Sequence, residues 1–132
     1  MLETRLFRHI FILLFVVAIL NFLGTTFYLY WTLWGFDTVV HFLAGASVSM
    51  AVVLFWEYYF PNKTPSLIKT IFLAVLVAFI IGILWEIYEL YFDLTSFSDG
   101  IVYVRDTLSD LLMDITGGFF GTLWAMKILS KK

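Results

Sequence analysis

Long apolar runs, broken by short polar stretches, dominate the chain. Four of them are long enough to cross a bilayer, which takes about 20 mostly apolar residues. They cover about 7–30, 37–60, 66–91 and 106–129, within one domain spanning 1–132. Between them lie a short link at 31–36, a polar turn bounded by Pro61 and Pro65, and a longer loop at 92–105. Inside lipid each backbone polar group needs a partner, so runs of this length predict helices. The expected fold class is all-α: a polytopic membrane protein built as a four-transmembrane-helix bundle.

Composition strengthens this reading. The chain is 62% hydrophobic and 14% charged, with a mean hydropathy of +0.97. Soluble chains carry roughly a quarter charged residues, so this one lacks the polar groups to cover a surface in water. It has no cysteine, which excludes disulfides, thiol catalysis and Cys-ligated zinc. The first run is long enough to span, and no small-residue cleavage site follows it, so no cleaved signal peptide is expected. The net charge of −2 carries no nucleic-acid signature.

The basic residues set an orientation. Arg5 and Arg8 precede the first run, Lys63 and Lys69 flank the second turn, and Lys127, Lys131 and Lys132 end the chain. With four spans these positions share one side, and only Arg105 falls on the other. The positive-inside rule then makes both termini cytoplasmic in a multi-pass protein of the cell membrane.

The carboxylates show the opposite bias. Glu3 and Glu57 lie towards the cytoplasm, whereas Asp37, Glu86, Glu89, Asp93, Asp99, Asp106, Asp110 and Asp114 lie in the outer half or the outer loop. Asp37 and His41 are i,i+4, Glu86 and Glu89 are i,i+3, and Asp106, Asp110 and Asp114 are i,i+4,i+8. Each set shares one helix face. From Asp106, helical rise puts Asp110 about 6 Å and Asp114 about 12 Å deeper. An unpaired charge at mid-membrane costs roughly 2.5–3.5 kcal/mol or more, so these faces should meet inside the bundle.

Simpler roles account for some of these residues. Asp37 can cap the second helix, and Thr107 with Asp110 reads as a capping box. Asp93 and Asp99 can be wetted by outer solvent. His9 and Glu57 suit the cytoplasmic interface, and Asn21 suits an interhelical hydrogen bond. Asp114, Glu86 and His41 are too deep for caps and stand as functional candidates. Gly117 and Gly121 form a GxxxG pair beside Gly118, while Gly45 and Gly82 add small patches. These faces suit packing within the bundle, a homo-oligomer through them being the alternative.

Carboxylates and an imidazole without thiols suit divalent Mg, Mn or Zn. Asp37, His41, Glu86, Asp110 and Asp114 are the expected metal ligands, with Glu89 or Asp106 as the catalytic base that activates water. One or two such ions could clamp the oxygens of a phosphoryl displacement. Membrane lipids and a lipid-linked phosphate in the outer leaflet are the expected partners, and a hydrolase or transferase the expected activity. Acidic and histidine chains in membranes also serve proton- or cation-coupled transport, and a lipid head-group- or glycopeptide-binding protein needs no chemistry at all.

Asp37-Thr-Val-Val-His41-Phe, Trp85-Glu-Ile-Tyr-Glu89 and Asp106-Thr-Leu-Ser-Asp110-Leu-Leu-Met-Asp114, followed by Gly117, Gly118 and Gly121, resemble small bacterial membrane proteins of the VanZ-like and YjdF-like type. The resemblance covers the second to fourth runs. It implies that Asp37, His41, Glu86, Asp110 and the position of Asp114 form the motif core. The VanZ-like pattern has Asn where this chain has Asp114, and the Asp-Thr-x-x-Asp opening is closer to the YjdF-like type. VanZ-like proteins are linked to glycopeptide-antibiotic resistance, and the resemblance brings no defined reaction with it.

Overall fold

The computed structural model describes residues 2–61 and 66–130, with the side chains from residue 5 onwards. Most of the turn around Pro65, together with Lys131 and Lys132, lies outside the described residues. The described residues form helices and loops, with no strand among them. The long helices are α1 (Leu2–Thr26), α3 (Phe36–Tyr59), α4 (Leu67–Tyr91) and α5 (Ile101–Leu129), and α2 (Leu29–Thr32) is a single turn between α1 and α3. A 3-10 turn (Phe97–Asp99) precedes α5.

Two boundaries differ from the sequence expectation. The first run does not continue to 30, because α1 ends at Thr26 and Tyr28 adopts a left-handed backbone at φ 58°. That break folds Tyr30 back, and its hydroxyl donates to Asn21 Oδ1 at 2.8 Å. Asn21 thus takes a partner from α2, not from another long helix. The last helix starts at Ile101, five residues before the expected 106. Gly100, at φ 59°, turns the chain directly into the helix. Asp106 therefore sits about 7 Å along α5 and not at its first residue.

Segments Arg5–Thr26, Phe36–Tyr59 and Leu67–Tyr91 are long and apolar enough to cross a membrane, with mean hydropathies of 2.4, 2.0 and 2.8. At 29 residues α5 has the length, but its polar face keeps it out of that class. Burial is inverted relative to a soluble bundle. Ala46, Ala74, Ala78 and Ala125 are buried, while Phe11, Phe22, Ile68 and Phe72 are exposed. Lipid tails solvate large apolar side chains, so the inside is left to small residues that let backbones approach. Exposed Tyr28, Trp31, Trp34 and Tyr91 cluster at one end and Tyr58 and Tyr59 at the other, as aromatic side chains do at membrane interfaces.

The densest packing joins α3 to α5, and glycine explains it. A Cβ on Gly117 would collide with Phe42 O and come within 3.1 Å of Ala46 N, and one on Gly45 would meet the Asp114 backbone at 2.8 Å. The glycine faces are therefore filled within the chain. Helix α4 packs on both α3 and α5, while α1 leans on α3 and more lightly on α5. Among the described residues α1 and α4 do not pack on each other. Leu6, Ile10, Met50, Val53 and Ala125 close the end near the chain termini as a dry apolar cluster.

Candidate functional site

The opposite end of the bundle holds the acids. Asp37 lies in the first turn of α3 and His41 one turn deeper, with His41 Nε2 at 3.5 Å from Asp37 Oδ1. On the other side of the ring, His41 Nδ1 donates to Asp114 Oδ2 of α5 at 3.2 Å. Asp110, one α5 turn further out, completes a group: ligand atoms of Asp37, His41 and Asp110 lie within 4.8 Å of one another. His41, Glu86, Asp110 and Asp114 are 2–6% exposed.

Small residues make the space. A Cβ on Gly82 of α4 would overlap Asp114 Oδ2, and one on Gly45 would overlap the backbone of the same residue. The glycines on α3 and α4 therefore seat the Asp114 side chain behind His41. Glu86 of α4 accepts from Thr107 Oγ1 through Oε2 at 2.7 Å, while its Oε1 is buried without a hydrogen-bond partner. Glu89 Oε1 accepts from Trp85 Nε1 at 3.0 Å.

Neither capping assignment describes these residues. The N-cap of α3 is Gly35, and no side chain caps that terminus, although Asp37 still lies in the favourable first turn. Thr107 is inside α5 and spends its hydroxyl on Glu86. Asp93 and Asp99 are exposed in the loop, as anticipated, and His9 stands at the far end bonded to Arg5 O at 2.8 Å. Thr107, Gly45 and Gly82 are site residues for which sequence reasoning gave other roles. The clue for Thr107 was its placement seven residues before Asp114, on the same face of α5.

Outside the buried group lies an open polar cavity of about 660 Å³. Asn21, Tyr30, Asp37, Glu89, Arg105 and Asp106 line it. Burial, reinforced by Asp37 and Glu89, pushes the Tyr30 phenol above its ordinary range. Tyr30 thus remains a hydrogen-bond donor at any physiological pH. Asp37, Glu89 and Asp106 line this cavity, whereas His41 and Asp114 line a neighbouring apolar one, and buried Glu86 and Asp110 line neither.

The electrostatics are unbalanced. Among the described residues, the ion pairs to this cluster come from His41 alone. Buried carboxylates without counter-charge are costly, so protons or a cation must complete the group. The imidazole sharpens the point. With Nδ1–H committed to Asp114, a neutral ring turns the Nε2 lone pair towards the Asp37 carboxylate. Lone pair against lone pair is repulsive, whereas a proton or a metal ion at Nε2 satisfies both. A carboxylate on the remaining ring nitrogen is also how metal-binding histidines are oriented.

The loss of Thr107 tests the wall. Thr107→Val removes the one side-chain hydrogen bond that Glu86 makes among the described residues and orphans both of its oxygens. It should destabilise the protein by about 1–3 kcal/mol. Thermal unfolding in detergent should show a lower midpoint, and Thr107→Ser should restore it.

Fold and site together define a helical integral membrane protein with a buried acid–histidine group beneath a polar cavity. The chain belongs to the family described as "Predicted membrane protein (DUF2238)", which it matches over residues 2–131. No curated protein and no solved structure matches it.

Proposed function

We propose that this membrane protein binds a divalent cation between Asp37, His41 and Asp110, and uses it to act on the phosphate of a lipid or lipid-linked substrate. The carrying observation is the convergence of these three side chains, with His41 Nε2 facing a carboxylate and Nδ1 held by another. Ligand atoms sharing one ion lie roughly 2.0–2.2 Å from it, so binding would draw this group together slightly. Asp114 acts through His41 by fixing its ring. The free Oε1 of Glu86 is available to the ion or to its water.

In this reading α5 is a fourth span with its polar face turned inward. Both termini are cytoplasmic, by the distribution of basic residues, and the cavity opens to the outer leaflet of the cell membrane. The order of acidic and glycine motifs supports kinship with the VanZ-like and YjdF-like proteins. A phosphate in the cavity would meet the cation beside Asp37 and the guanidinium of Arg105 at the mouth. Asp106, exposed at the same mouth, takes the proton of the attacking water, and Glu89 is the other candidate base. Water oxygen bonds to phosphorus as the ester P–O bond breaks, and the lipid alcohol leaves with a proton.

Transport fits less well. Past Asp114 the buried hydroxyls of Ser47, Ser49 and Thr122 bond back to carbonyls of their own helices. Beyond them lies the apolar cluster around Met50 and Ala125. The polar path stops within the bundle.

The test is phosphate release from a panel of lipid monophosphates and diphosphates by protein in liposomes. Release should require Mg²⁺, Mn²⁺ or Zn²⁺ and should disappear in Asp110→Asn. Bound metal with no release from any member would leave a head-group-binding protein and reject the enzyme.

A further inference from the structure

A second cavity, of about 260 Å³, adjoins the first and has the opposite character. Its walls are Leu14, Val17 and Ala18 of α1 and Ala78, Ile81 and Gly82 of α4. Its back is formed by α3, and its polar edge consists of Asn21, His41 and Asp114. It exists because α1 and α4 do not pack on each other. On α1 it runs from Leu14 to Asn21, about 10 Å of helix. Leu14, Ala18 and Ile81 are exposed at its mouth, so it opens sideways, where an apolar helix surface meets lipid.

Asn21 and Trp85 line both cavities. A polar vestibule and an apolar slot thus meet at Asn21 and Trp85, with Asp37 on the vestibule side and His41 and Asp114 on the slot side. A soluble ligand would use only the vestibule, and a bulk hydrocarbon chain only the slot. One molecule that uses both is an amphiphile with an anionic head and an alkyl chain. The head has something to bind: Arg105 lines the vestibule, and the cation would sit beside Asp37, which lines it too. Glu86, whose buried Oε1 has no hydrogen-bond partner among the described residues, stands on the same α4 helix that forms one wall of the slot.

We infer that the gap between α1 and α4 is a lateral port that admits the alkyl chain of a phosphate-headed lipid directly from the bilayer. The chain lies in the slot and the phosphate in the vestibule. The inference rests on the phosphate reading of the vestibule and names how that substrate enters.

Ala18 gives a clean test, because it is exposed at the mouth and a larger side chain there fills the slot without crowding the core. Binding of dodecyl phosphate and of ethyl phosphate would be measured on the nanodisc-embedded full chain, corrected for uptake by empty nanodiscs. Metal content would be read on the same samples. Ala18→Phe should weaken dodecyl phosphate at least about tenfold, because the ring takes the place of the alkyl chain and forcing both into the slot overpacks it. It should leave ethyl phosphate and metal content unchanged. Val16→Phe, on the exposed face of α1 away from the slot, should bind as wild type does. Wild-type binding of dodecyl phosphate by Ala18→Phe would overturn the port, as would equal losses in both variants. Metal-loaded protein that takes up no more dodecyl phosphate than empty nanodiscs would overturn the port and leave the cation site standing. An Ala18→Phe effect in protein that binds no metal would support the port and remove the cation.

Discussion

Gly117→Ala should unfold or loosen the bundle, since among the described glycines its Cβ would meet the nearest obstruction, and that obstruction is backbone. The added Cβ has no place to go: Phe42 O lies where it would sit, and Phe42 C and Ala46 N follow at 2.8 and 3.1 Å. These are backbone atoms of α3, so no side chain can rotate away. Helices α3 and α5 would have to separate, and the cost of such overpacking is about 1–3 kcal/mol, sometimes more. The separation would also open the cluster, since Asp37 and His41 sit on α3 and Asp110 and Asp114 on α5. Gly118→Ala is the control, because its Cβ would meet the Ala78 Cβ at 3.1 Å and a small shift relieves it. Size-exclusion thermostability in detergent should fall sharply for Gly117→Ala and little for Gly118→Ala. Equal midpoints would show that the α3–α5 contact is looser than described.

Cation affinity should respond to the carboxylates in a graded way. Asp110→Asn removes a charged oxygen from the converging group and should weaken a divalent ion by at least about 100-fold. Asp114→Asn keeps a hydrogen-bond acceptor for His41 Nδ1 but loses the charge, and changes of this kind typically cost about 10–100-fold. Asp93→Asn, exposed in the loop, should have no effect. Titration of the purified protein with Mn²⁺, followed by electron paramagnetic resonance, would rank the three. A rank with Asp114 above Asp110 would make Asp114 the ligand and Asp110 its support.

The sequence made the spans and the shared depth of the acids legible. Hydropathic run length placed α3 and α4 to within a residue or so of their ends. Spacing of three and four residues put Asp37 with His41 and Asp110 with Asp114 on common faces, and the structure brings those faces together. The break at Tyr28 was not legible, because a tyrosine in a left-handed conformation carries no pattern, and Phe27–Trp31 reads as a continuing apolar run. The early start of α5 escaped for a related reason. Ile101 to Arg105 carry no cap residue, and the turn into the helix depends on the backbone of Gly100. Partner choice was also hidden. Spacing along one helix says nothing of which acid on another helix meets His41, and Thr107 resembled a cap until α4 supplied Glu86. The Trp85–Glu89 bond, by contrast, follows from i,i+4 spacing on α4 and was open to anticipation.

The chemistry proposed for the cavity requires a cation in the Asp37–His41–Asp110 group. The most direct test of that requirement is elemental mass spectrometry of the purified full chain after incubation with Mg²⁺, Mn²⁺ or Zn²⁺ and removal of excess, beside an Asp37→Asn, Asp110→Asn double variant. At least one stoichiometric ion per chain is expected in the native protein, and its loss in a folded variant. No retained ion under any of the three conditions would contradict it, and protons would then be what neutralises the buried acids.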